Sequence, residues 1–137
     1  MMNVIQSALS GLHAASKKIE AGASNIANLQ TSGSLEAGKK APYSALTTRQ
    51  TAITDAQGNG LGVKVDIVAK DTPFVPAYDP DSPFANTDGE IGVPNVDLAE
   101  EAVNINLAEI TYKANLKTLQ AASDMEKELL GMFDEKV

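Results

Sequence analysis

Residues 5–29 read IQSALSGLHAASKKIEAGASNIANL, and the spacing within them decides the fold. Ile5, Ala8, Leu12, Ala15, Ile19, Gly22, Ile26 and Leu29 recur at alternating steps of three and four, and every one is apolar or small. On a helix they form one continuous stripe, and the alternation suits a partner helix wound against it. Gln6, Ser7, Ser10, Lys17, Lys18 and Glu20 fill the positions between, which belong in water or against polar neighbours. A helix of this length spans about 40 Å at about 1.5 Å per residue. Such a stripe needs cover, and a complementary pattern lies at the other end of the chain.

That second pattern runs from about residue 97 to 132. Asn95 or Asp97 supplies its cap, and Glu100 and Glu101 fall in the first turn, where the helix dipole favours acids. Projected at 100° per residue, the segment carries two apolar seams. Val103, Leu107, Ile110, Ala114, Ala121, Met125 and Met132 form one. Leu98, Ala102, Ile105, Tyr112, Leu116, Leu119 and Leu130 form the other, on roughly the opposite side. A single antiparallel partner covers only one seam, so the other calls for neighbours from other chains. We expect Leu107, Ile110 and Ala114 to face the chain's own first helix, and Ile105, Tyr112, Leu116 and Leu119 to face neighbours.

Between the helices the punctuation changes. The first helix runs to about Leu29 and stops in Gln30-Thr31-Ser32-Gly33. Thr47, Thr48, Thr51 and Ile53 predict a strand over about 43–54, and Asp55 to Gly60 is a turn by composition. Val63, Val65 and Ile67 then alternate with Lys64 and Asp66, which completes a β-hairpin. Five of the six prolines fall between Asp71 and Pro94, which predicts an irregular, extended arm. The expected fold is mainly α with a small β part. Its long N- and C-terminal helices pair as an antiparallel coiled coil, with a central β-hairpin and an extended Pro-rich arm between them. All of it forms one domain, 1–137, divided into a helix (1–30), the hairpin and arm (31–95) and a helix (96–133).

Composition supports helix-on-helix packing. The chain is 137 residues long, 43% hydrophobic and only 4% aromatic, with no Trp, so its core must come from Ala, Leu, Ile and Val. The net charge of −7 divides into +1 over residues 1–33, −3 over 34–94 and −5 over 95–137. Without a basic stripe, nucleic acid and anionic lipid are poor partners. The absence of cysteine removes disulfides, thiolate metal sites and thiol nucleophiles. Residues 1–30 lack a cationic start followed by an apolar run, so they do not read as a cleavable signal peptide.

Chemistry is sparse. The lone His13 lies on the polar flank of the first helix with no second ligand to join it. Gly58-Asn59-Gly60-Leu61-Gly62 lacks the Lys-Ser/Thr ending of a phosphate loop and precedes a strand, so these are turn glycines. Asp79-Pro80-Asp81 starts like a calcium loop, but Pro80 and Pro83 break the required geometry. Asp79, Asp81, Asp88 and Glu90 sit among prolines and turn residues rather than in apolar seats suited to acid–base work. No catalytic residue, metal, cofactor or small-molecule substrate is expected. Asn25 and Asn28, three residues apart at the helix end, admit two readings. They either cap the helix locally or bond across a helix or subunit contact and fix its register. Asn104, Asn106 and Asn115 on the last helix offer amide partners for the second.

Three motifs resemble those of the axial proteins of the bacterial flagellum, the rod and hook family. Ala23-Ser24-Asn25-Ile26-Ala27-Asn28-Leu29-Gln30-Thr31 is similar to the Asn-x-x-Asn segment closing their first helix. Pro94-Asn95-Val96-Asp97-Leu98-Ala99-Glu100-Glu101-Ala102-Val103-Asn104 resembles the opening of their last helix, and Tyr112-Lys113-Ala114-Asn115 matches a tetrapeptide further along. The run from Tyr78-Asp79-Pro80 through Pro83 to Asp88-Gly89, continuing into Val93–Asp97, is most like the proximal rod members, as is the short chain length. Ser82 and Glu90 depart from that pattern, where His and Tyr are usual.

The resemblance implies a subunit of the proximal rod, the periplasmic drive shaft between the membrane ring and the hook. It implies export unfolded through the flagellar type III apparatus, which would explain the missing cleavable signal. It also implies contacts with copies of the same chain, with proximal and distal rod proteins and with the ring-to-rod junction protein. These contacts would run through Ile5, Ala8, Leu12, Ala15, Ile19, Asn25, Ile26, Asn28 and Leu29 on the first helix. On the last they would run through Asn95, Val96, Asp97, Val103, Ile105, Leu107, Ile110, Tyr112, Ala114, Asn115, Leu116 and Leu119. Tyr78, Asp79, Pro80, Pro83 and Gly89 would make arm contacts. Another axial protein, or a cytosolic helical adaptor or export chaperone, remains the alternative; an adaptor would need a self-sufficient fold with one apolar seam.

Overall fold

The computed structural model describes residues 2–134. Six elements follow in order: α1 (Met2–Ala27), β1 (Leu46–Thr54), β2 (Gly60–Ala69), β3 (Phe74–Tyr78), β4 (Glu90–Pro94) and α2 (Leu98–Asp134). The two helices pack antiparallel, because Asn25 near the end of α1 bonds Glu101 near the start of α2, while Gly11 meets Asn115 further along. The β1–β2 hairpin packs against α1 as well, with the Val63 amide donating to Ser10 Oγ at 3.1 Å. α1 is therefore the element shared by both neighbours.

The core is built almost wholly from small residues. Ala8, Ala14, Ala15 and Ala21 on α1, Ala45 before β1, and Ala108 and Ala122 on α2 are buried, with Ile91 the only larger aliphatic side chain among them. A close helix approach explains this choice. A Cβ on Gly11 would come within 2.6 Å of Asn115 Oδ1, and one on Gly22 within 2.9 Å of Ile105 Cγ1. Small side chains let the two backbones close in, and van der Waals contact replaces bulk.

Helix ends follow from named side chains. Asp97 caps α2, its Oδ1 accepting from the amides of Ala99 at 2.8 Å and Glu100 at 3.0 Å. α1 gives way to a turn at Asn28, two residues before the expected end, where Asn28 Nδ2 folds back onto the Ser24 carbonyl.

The first hairpin matches expectation, with strands somewhat shifted in extent. Leu46 pairs with Ala69 and Ile53 with Gly62. Asp55 organises the turn, with Oδ1 accepting from the Gln57 and Asn59 amides and Oδ2 from Asn59 Nδ2. Gly58 takes the left-handed conformation, φ +83°, that the turn requires.

The expected irregular arm is corrected. Within residues 71–94, β3 and β4 pair antiparallel from Phe74↔Pro94 to Tyr78↔Glu90, with Pro76 opposite Gly92. The prolines misled because proline is excluded only from a ladder position that must donate. In a two-stranded sheet every strand is an edge and can turn its missing N–H outward. Only the connection between Tyr78 and Glu90 is irregular, held by Asn86 Oδ1 accepting from the Asp88 and Glu90 amides. Gly33 and Gly92 exchange backbone hydrogen bonds at 3.0 and 2.8 Å, which ties this sheet to the loop after α1.

Two outcomes test this packing. Gly92→Ala would place a Cβ 2.7 Å from Pro42 Cγ, and overpacking of this kind should cost about 1–3 kcal/mol in urea unfolding. The hydrogen bonds from Asn59 hold the Asp55 carboxyl below the ordinary carboxylate range. Its contribution is complete at neutral pH and is lost as pH falls below roughly 4, through the depressed folded-state value. The Asn59 side-chain amide resonances should shift with the same midpoint in an NMR titration, and Asp55→Asn should remove that titration.

Candidate assembly interface

Asn25 is the largest side chain fully shut off from water, at 1% exposure. An asparagine amide can make four hydrogen bonds, and this one makes all four. Its Oδ1 accepts from the Leu46 amide at 2.7 Å and from the Tyr43 hydroxyl at 3.2 Å. Its Nδ2 donates to the Leu46 carbonyl at 2.8 Å and to Glu101 Oε1 at 2.7 Å. One side chain thus joins the end of α1 to the start of β1 and the start of α2. Glu101 is buried too, and Lys70 Nζ stands 3.7 Å from the same oxygen while donating to the Asn95 carbonyl at 3.5 Å. Ser24 Oγ bonds the Tyr43 hydroxyl at 2.8 Å and closes the cluster.

Both readings of the Asn-x-x-Asn pair are realised, one at each residue. Asn28 works locally, bonding the Ser24 carbonyl and accepting from Thr31 Oγ1. Asn25 reaches across the helix contact, but its side-chain partner there is the carboxylate of Glu101, not an amide. Glu101, Lys70 and Tyr43 were not singled out in the sequence for this cluster. Glu101 looked like an acid placed by the helix dipole, and only its burial distinguishes it from exposed Glu100.

Neither seam on α2 packs on α1 as expected: the first is exposed, and the second is covered only at Ile105 and Leu119. α1 covers the side bearing Glu101, Ile105, Ala108, Asn115, Leu119 and Ala122, all buried or half-buried. Leu107, Ile110 and Ala114, expected against α1, are exposed, with Leu107 57% and Ile110 64% accessible. The reason lies on α1. Its small-residue face accepts a side of α2 that includes two polar residues, Glu101 and Asn115, which apolarity alone ranks low. Tyr112 and Leu116 flank the covered side and are exposed. The stripe Val103, Leu107, Ile110, Ala114, Ala121, Met125 and Met132 is thus exposed along the outer side of α2, unbroken from Val103 to Ala114 and interrupted by Lys117 and Thr118 beyond it.

The remaining candidate residues divide by burial. On α1, Ala8 and Ala15 are buried, Leu12, Ile19 and Ile26 half-buried, and Ile5 exposed alongside Val4 and Leu9, while Asn28 and Leu29 in the turn after it are half-buried. Asn95 and Val96 are half-buried in the approach to α2, and Asp97 is exposed at its cap. In the arm, Tyr78 is 76% exposed, Asp79, Pro80 and Pro83 are exposed and Gly89 is half-buried, with φ +77°. Among the described residues, no group of His, Cys, Asp or Glu is arranged to hold a metal ion, and no helix is long and apolar enough to cross a membrane.

Truncation should separate the two asparagines. Asn25→Ala leaves the Glu101 carboxylate and the Leu46 backbone groups short of partners in a buried site, and should cost about 3 kcal/mol or more. Asn28→Ala removes partly exposed local bonds and should cost under about 1 kcal/mol in the same unfolding experiment.

Comparison with known proteins bears on these surfaces. The family profile described as "Flagella basal body rod protein" matches residues 5–33, and that described as "Flagellar basal body rod FlgEFG protein C-terminal" matches residues 88–132. The chain is 33% identical to the flagellar basal-body rod protein FlgC of Salmonella typhimurium over 127 residues, 91% of this chain and 92% of that protein. It is 32% identical to FlgC of Escherichia coli O157:H7 over the same shares. With FlgC of Buchnera aphidicola subsp. Schizaphis graminum it shares 33% identity over 96% of this chain and 97% of that protein. A relationship that takes in both helices and everything between them sets the adaptor alternative aside: the chain belongs to the FlgC family of flagellar basal-body rod proteins, and is a structural subunit of the rod rather than an enzyme.

Proposed function

We propose that this chain builds the proximal part of the rod by lateral packing of its terminal helices. The exposed apolar stripe on α2 carries this reading. Val103, Leu107 and Ile110 lie on the side away from α1, spaced to receive a further helix in coiled-coil fashion. An exposed apolar run such as Val103 to Ala114 marks an interaction surface. The partners are copies of the same chain and neighbouring proximal and distal rod proteins, with the ring-to-rod junction protein at the base. α1 and α2 themselves form the antiparallel coiled-coil unit that repeats around the shaft.

Val4, Ile5 and Leu9 extend the apolar surface at the start of α1, and exposed Tyr78 with Asp79, Pro80 and Pro83 offers a second contact outside the helices. In this reading torque passes from subunit to subunit through helix seams, and stiffness comes from the number of such contacts rather than from the strength of any one. The chain reaches the periplasm through the flagellar type III export apparatus, without a cleaved signal peptide.

The test is Ile110→Asp, which puts a charge on the exposed stripe without touching the face packed on α1. Export into the periplasm and monomer stability should stay within about 0.5 kcal/mol of the parent, as for a surface change, while rod formation and swimming are lost. Normal basal bodies in cells carrying only this variant would refute the lateral-packing model.

A further inference from the structure

The stagger between α1 and α2 leaves an unmatched end. Asn25 lies level with Glu101 and Gly11 with Asn115, so each step back along α1 is a step forward along α2. Asn3 then comes level with Ser123, and α2 runs on past the start of α1 for about 15 Å. Residues 125–133 on that extension are exposed, including Met125, Leu129, Leu130, Met132 and Phe133.

A slip of one heptad would cover part of it. Ala122 would replace Asn115 opposite Gly11, Met125 would come opposite Ala8, and Leu129 opposite Val4. Ala8, Gly11, Ala15 and Gly22 present no bulky knob, so on this face resistance to the move comes from half-buried Leu12, Ile19 and Ile26 and from the seats of Asn115 and Ile105 at the two glycines. The slipped register would thus exchange the contact of Ile105 at Gly22 for apolar contacts of its own.

We propose that the Asn25–Glu101–Lys70 cluster sets the stagger against this competing register, and so keeps the last turns of α2 clear of the chain's own α1. In the slipped register Asn25 would face Ala108, which has no side-chain acceptor, and Glu101 would pass beyond the end of α1 at Ala27. Asn25 Nδ2 would lose its carboxylate, and the Glu101–Lys70 pair would leave the position where Asn25 completes it. A single buried polar residue is well suited to this task, since a hydrogen bond is satisfied at one register and hydrophobic contact is satisfied at several.

The chain lacks cysteine, so engineered disulfides can report register without background. Gly11→Cys with Asn115→Cys reads the observed stagger, and the substitution at 115 removes the atoms that crowd position 11. Gly11→Cys with Ala122→Cys, combined with Asn115→Ala to relieve the same crowding, reads the slipped one. In the full chain kept as a monomer, the first pair should oxidise and the second should stay near background. Adding Asn25→Leu and Glu101→Leu should raise the 11/122 disulfide by about tenfold or more, the factor that one or two hydrogen bonds carry. Glu101→Gln, whose side-chain oxygen can still accept from Asn25, should leave 11/115 as the only product. The proposal is overturned if the double leucine variant still forms 11/115 alone. It is equally overturned if that variant forms neither disulfide, because the cluster would then govern whether the helices pair, not where. This outcome is independent of rod assembly, so it can fail while lateral packing stands.

Discussion

Four hydrogen bonds on one buried amide hold this molecule's parts in place. Without Asn25, α1 would meet α2 and β1 mostly through alanines, glycines and a few half-buried aliphatics, with Asn115 seated at Gly11. Such contacts supply attraction, but attraction between smooth faces does not define position. Burying an amide costs free energy unless every donor and acceptor finds a partner, and here each one does. The polar cluster converts a compliant helix contact into one geometry, and the hairpin inherits its place from the same residue through Leu46.

The composition follows from that division of labour. Close helix approach requires small residues, and small residues leave little apolar volume to bury. Larger aliphatic side chains are displaced to the outside, where Val103, Leu107 and Ile110 wait on α2. In a monomeric enzyme such a distribution would be a liability. In a rod subunit it leaves apolar surface available to the lateral packing proposed above.

The helices and first hairpin were legible because their signals are periodic: steps of three and four for α1, alternation for β2, and a capping aspartate for α2. The second hairpin was not, because five prolines outweighed the brief alternation around them, and proline's exclusion from sheets holds for interior strands only. The stripe on α1 was legible as a stripe, but its partner face on α2 was misassigned. Glu101 and Asn115 lie in that face, and a measure based on apolarity discounts them. Asn25 was recognised as a residue of interest from its place near the helix end. That its partner would be a carboxylate 76 residues away depends on burial, which spacing does not encode.

The same separation has a kinetic consequence. Contacts between distant parts of a chain are reached only after a large loop closes, so topologies rich in them fold slowly. A chain synthesised from its N-terminus presents α1 long before the residue that completes its polar cluster. Until Glu101 and Lys70 are both present, the amide of Asn25 is better served by water than by protein. The cluster around Asn25 is therefore completed only once the second helix is at hand.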